Sequence, residues 1–227
     1  MECRDKPSEV NLTLYQLHHK NPKVVCKALD KVVRFARKDP GLIKEAIPTL
    51  DAFLLHWDKD ISFRSCWALG QIGIVKPVWV SESLPKLSRL INHHHLEVRV
   101  KAIWALGRIG REKPELIQRF IPFILEKAED EQAWVRYSVL CACENIALNQ
   151  PGWFCDALPI FSRLLDDPDI KRVRREAPVI FQIIGKSNPH LLKDFLPKLE
   201  RMLRDEDEMV RDNARAALRS IKESPED

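Results

Sequence analysis

Long apolar runs are missing from this sequence. No stretch of about 18 consecutive apolar residues occurs, so no membrane-spanning helix is expected. The first residues, Met-Glu-Cys-Arg-Asp-Lys-Pro, hold no apolar segment of secretory type, and the chain is expected in the cytoplasm. Glycine is scarce, with 7 in 227 residues, and no glycine-rich loop is followed by the lysine that a phosphate cradle needs. Nucleophile elbows and zinc-protease motifs are also absent. The 6 cysteines are scattered, and Cys26, Cys66, Cys141, Cys143 and Cys155 fall inside apolar helical segments as small fillers, so no disulfide is expected. Cys141 and Cys143 are two apart on a helix and point to different sides, so the pair neither bridges nor chelates. No cofactor and no metal are expected.

What the sequence does have is a repeat. Val98, Ala102, Ala105, Leu106 and Ile109 fall on one helical stripe. The same stripe starts again at Ile61, Val135, Val173 and Val210, with a weaker first copy at Val24. The spacings are 37, 37, 37, 38 and 37 residues. Pro48, Pro85, Pro122, Pro159 and Pro197 run in phase, each about 13 residues before its anchor, and a bend is expected inside every first helix. A fixed period of this length means stacked helix pairs. The expected fold is all-α, a right-handed α-solenoid of about six helix-turn-helix repeats in one domain, 1–227. The repeats span about 7–38, 41–74, 78–111, 114–148, 151–186 and 188–222. Pro7 and Ser8 open a first capping helix, and Val10, Leu14 and Leu17 line one face of it.

Two helices per repeat, an in-phase proline and Val-Arg opening the second helix together resemble HEAT repeats. Val98-Arg99, Val135-Arg136, Val173-Arg174 and Val210-Arg211 match that pair. The resemblance implies an Arg–acid ladder between repeats, with Asp130, Asp167 or Asp169, and Asp205 or Asp207 as the acids. Val24-Val25 and Ile61-Ser62 depart from the pattern, so the ladder should break at that end.

Charge is uneven. Residues 1–113 hold 20 Lys+Arg against 12 Asp+Glu, and residues 114–227 hold 17 against 21. The positions two, six, nine and thirteen after each anchor should line the concave surface. Phe63, Trp67, Trp104 and Tyr137 fall there, with Arg37, Arg64, Lys101, Arg108, Arg111 and Arg175 around them. Either these aromatics form a binding strip or they pack between neighbouring second helices. His19, His56 and His93 share one repeat position and His93-His94-His95 lies in a turn; all read as polar turn residues.

A protein or peptide held by the concave aromatic-basic face is the preferred reading, with the chain a non-catalytic, monomeric binding scaffold and no membrane partner. The alternative is nucleic acid, because the chain is similar in length and repeat count to the HEAT-like alkylpurine DNA glycosylases. That resemblance implies an aromatic wall from Trp67, Trp104 and Tyr137 and a carboxylate from Glu144. The paired tryptophan motif followed closely by aspartate is absent. Trp-Ala-Leu-Gly-x-Ile-Gly also resembles the repeat motif of HEAT-like bilin lyases.

Overall fold

The computed structural model describes residues 8–223, and every regular element among them is helical. Pro7, part of the expected helix start, and the tail 224–227 lie outside the described residues. The chain divides into two compact units, one ending at Ala105 and one starting at Leu106. The first holds α1 (Glu9–Gln16), α2 (Pro22–Lys38), α3 (Ile47–Phe53), α4 (Lys59–Val75), α5 (Leu84–Leu90) and the start of α6 (Leu96–Glu112). The second holds the rest of α6, then α7 (Ile121–Leu125), α8 (Ala133–Ala147), α9 (Leu158–Leu164), α10 (Arg175–Gly185), α11 (Leu196–Met202) and α12 (Glu208–Lys222). In the first unit α2 packs along α4, and α3 lies against α4. In the second α10 packs against both α8 and α12.

The sequence stripes are the cores of the long second helices. Ile61, Ser65, Ala68, Leu69 and Ile72 are buried, as are Val135, Val139, Ala142, Cys143 and Ile146. The copies from Val173 and Val210 behave alike. Each fully buried Val, Leu or Ile contributes roughly 1.5–3 kcal/mol by leaving water. The first copy is one residue out of the expected phase. Val25, Leu29, Val32, Val33 and Ala36 are buried, whereas Val24 is half-buried and Lys31 and Phe35 remain partly exposed. The anchor is Val25.

The recurring prolines do not bend long helices. From the second repeat on, the first helix is short 3-10 structure, such as Pro40–Ala46 or Pro77–Ser83, followed by a separate α segment. Pro48, Pro85, Pro122, Pro159 and Pro197 sit in the first turn of α3, α5, α7, α9 and α11. There the missing N–H has no helical partner to lose.

The turns follow one rule. His19, His56 and His93 each accept, through Nδ1, the backbone N–H two residues on. Asp130, Asp167 and Asp205 do the same through Oδ1 at the equivalent point of later repeats. An aspartate there can also take an arginine. Arg136 donates two bonds to Asp167, at 2.7 and 2.8 Å, and Arg174 donates to Asp205 at 3.1 Å. This is the ladder the HEAT resemblance implies. At the other end Ser62 replaces the arginine and donates to the Leu54 carbonyl at 2.7 Å.

The single 38-residue spacing has a local cause. Residues Ile170–Arg174 form a π turn ahead of α10, with Arg174 N–H bonded to Asp169 O at 3.0 Å. A π turn holds one more residue than an α turn. Pro178 lies inside α10 and supplies no N–H.

Candidate functional site

In the first unit the structure gathers Phe63 and Trp67 from α4 with Lys101 and Trp104 from α6. Lys101 Nζ lies 5.2 Å from the Phe63 ring, 5.2 Å from Trp67 and 4.9 Å from Trp104. Arg37 from α2 lies over Trp67 at 5.4 Å. These distances are within cation–π range, about 0.5–2 kcal/mol per contact depending on solvation. Burial lowers the Lys101 ammonium below the usual lysine range, and Arg37 lowers it further, opposed by Cys66. The three rings are half-buried, so the aromatics are neither a bare strip nor sealed core.

Gly70 explains how Trp104 fits. A Cβ at Gly70 would stand 2.5 Å from Trp104 Cζ3 and 3.1 Å from the Ala105 Cα. The glycine therefore lets α6 approach α4 with the indole laid against its backbone. Gly70 and Gly107, expected to line the concave surface, are both buried, and so is Val33. At Gly70 and Gly107 the position nine residues after the anchor is a contact between neighbouring second helices.

The other basic residues divide by partner. Arg64 is held by Asp30 at 2.9 Å. Arg175 grips Asp207 with two bonds, at 2.6 and 2.9 Å. Arg111 is exposed and reaches Asn145 at 3.4 Å. Arg108 is partly exposed, with its buried Nε unpartnered. Arg37 is exposed and accompanies the rings; Arg64 and Arg175 are already neutralised.

In the second unit Tyr137 stands edge-on to Trp134, with centroids 6.1 Å apart, and Cys141 beside it raises its hydroxyl above the usual tyrosine range. Arg172 lies over the Trp134 ring at 4.4 Å. Glu144, one turn beyond Cys141 on α8, is 9% exposed. Burial, and after it the charge of Glu176 on α10, push its carboxyl well above the usual carboxylate range. That burial works against the negative charge that the glycosylase resemblance implies at Glu144. Cys141, Glu144 and Glu176 place one donor atom each within 4.8 Å of one another. The sequence reading set Cys141 only against Cys143 and missed Glu176. The signal was the Cys-x-x-Glu step on α8, facing a glutamate three residues after the next anchor.

The histidines are turn residues, as expected. The His93 and His94 rings stack at 4.3 Å, and burial lowers His93 below the usual histidine range.

No family model matches the sequence, and no curated protein sequence does. Solved structures do match. A designed armadillo repeat protein in complex with the peptide (KR)4 is similar at 23% identity with a TM-score of 0.78, over 94% of this chain and 100% of that one. An engineered protein is similar at 24% identity and a TM-score of 0.79, over 94% and 98%. A structure of computationally designed armadillo repeat proteins for modular peptide recognition is similar at 22% identity and 0.72, over 93% and 99%. Armadillo and HEAT arrays are both stacks of helix repeats, and the protein has the all-α fold of that helical-repeat class.

Proposed function

We propose that the protein is a non-catalytic binding module that holds an extended peptide segment, and that the partner is acidic and carries aromatic or apolar side chains. The observation that carries this reading is the Lys101 cluster: an ammonium held among three half-buried rings, with the exposed Arg37 beside it. Rings of this size offer contact area at low entropic cost, and the two cations select for acids. The fold supports a peptide rather than a small molecule, since one structurally similar protein is in complex with a peptide and another is described as designed for modular peptide recognition. The (KR)4 ligand of one of them is cationic. The Lys101 cluster is itself cationic, so its preference should be opposite in sign. Nucleic acid is the weaker reading, because Arg64 and Arg175 are committed to carboxylates and add little to a phosphate track.

Selection from a displayed peptide library tests this. Enrichment of peptides combining Asp or Glu with aromatics, bound less tightly by Trp67→Ala and by Lys101→Gln, supports the reading. Enrichment of basic peptides, or of none, removes it. Salt-steep binding of labelled single- or double-stranded DNA that depends on Lys101 would put nucleic acid in its place.

A further inference from the structure

The second unit brings one thiol and two carboxyl groups together, and none of the ion pairs among the described residues involves them. Cys141 and Glu144 are three apart on α8, so their side chains stack on one face. Glu176 meets them from α10. One donor atom from each lies within 4.8 Å of the other two. Glu144 is nine-tenths buried, and its Oε1 has no hydrogen-bond partner. An orphaned buried carboxylate oxygen is costly unless something fills its lone pairs. The groups that act on the Glu144 carboxyl are its own burial and Glu176; neither a lysine nor an arginine is among them. Elsewhere in this unit, buried Asp167 is answered by Arg136, and Asp205 by Arg174.

We propose that Cys141, Glu144 and Glu176 form a binding site for a divalent transition-metal ion of the zinc type. A thiolate and two carboxylates carry three negative charges, which a divalent cation offsets in large part. Zinc accepts this donor set, with bonds of about 2.3 Å to sulfur and about 2.0–2.2 Å to oxygen. A tetrahedral ion with those bonds holds its donors roughly 3.5 Å apart, within about an ångström or so of side-chain adjustment here. The thiolate disfavours calcium and magnesium, which take oxygen ligands. Three protein donors leave one position open to water. Cys141 and Glu176 are partly exposed, so the site has a way in from solvent, while Cys143 is fully buried and takes no part.

The test uses the whole chain, stripped with a chelator and titrated with Co(II) and then Zn(II) alone. A cobalt spectrum with a thiolate charge-transfer band, erased by equimolar zinc, is the expected result. Cys141→Ser should abolish that band. Glu176→Gln, on a partly exposed side chain, should weaken zinc at least as much as the roughly 10–100-fold that loss of a supporting residue costs. Cys143→Ser and Cys155→Ser should leave the band in place. Circular dichroism checks that each variant keeps its helices. Three results would overturn the proposal: no metal bound, cobalt bound without a sulfur band, or binding removed by His94→Ala while Glu176→Gln keeps it.

Discussion

Lys101 projects its ammonium between Trp67 of the neighbouring helix and Trp104 of its own, 5.2 and 4.9 Å from the two ring centres. The cation is held by rings rather than by a carboxylate. Its charge is therefore partly desolvated and not cancelled. Lys101→Met keeps the stem that fills the space and removes the charge. The melting temperature should hold or rise slightly, because burial opposes the ammonium. Affinity for an acidic peptide should fall about tenfold, which is ~1.4 kcal/mol. Titration calorimetry beside a thermal melt separates the two effects. A collapse of stability with unchanged affinity would mean that the lysine is structural.

The Arg136–Asp167 pair, with side chains 12% and 5% exposed, is more enclosed than Arg174–Asp205. Removing one member strands the other. Asp167→Ala should cost about 3–5 kcal/mol in denaturant unfolding. The pair Arg201–Asp166 has the same charges but is 66% and 53% exposed. Arg201→Ala should cost no more than about 1 kcal/mol.

Asp207 gives a pH signature. Its two bonds from Arg175 hold the carboxyl at about 2, against an ordinary 3.8. Between those values the unfolded chain binds more protons than the folded one. The stabilisation is therefore complete above the ordinary value and is lost as pH falls toward about 2. Asp207→Asn keeps an oxygen to accept the Val210 N–H that Asp207 Oδ1 accepts at 3.2 Å. Its melting temperature should lie below the parent's at neutral pH. The gap should close as pH falls through that window in melts followed by circular dichroism.

Two glycines with different neighbours make a paired test. A Cβ on Gly107 would meet the Ala142 Cα at 2.6 Å, whereas one on Gly152 would meet nothing within 4 Å. Gly107→Ala should cost about 1–3 kcal/mol through overpacking. Gly152→Ala should be neutral or add up to about 1 kcal/mol by restricting the unfolded chain. Chemical denaturation of both variants reads the difference.

The repeat was legible because burial repeats with it: the stripes from Ile61, Val135, Val173 and Val210 are the observed cores. The first copy slipped because Val24 and Val25 both offer an apolar anchor, and Leu29, Val33 and Ala36 decide between them only once packed. The prolines misled because a 3-10 segment running into an α segment has nearly the same side-chain period as one bent helix. Phe63, Trp67 and Trp104 come together because they hold the +2 and +6 positions of adjacent helices, and Lys101 and Arg37 reach the same rings from other positions. Arg64 and Arg175 were placed around the aromatics, and each is held by a carboxylate. Their acids, Asp30 and Asp207, lie 34 and 32 residues away, beyond any local pattern. Glu176 stayed hidden for the same reason, as its partners lie on α8.

The π turn at Ile170–Arg174 bears on how such a chain tolerates change in length. One residue added to a helix turns everything after it by about 100°. An unabsorbed insertion ahead of α10 would have carried Val173, Ala177 and Ile180 away from the core together. Here the surplus residue is confined to a single turn, and the spacing from Val173 to Val210 is 37 again. An insertion that would shift the register of an ordinary helix is absorbed within one turn, and repeats of 37 and 38 residues keep the same buried stripe.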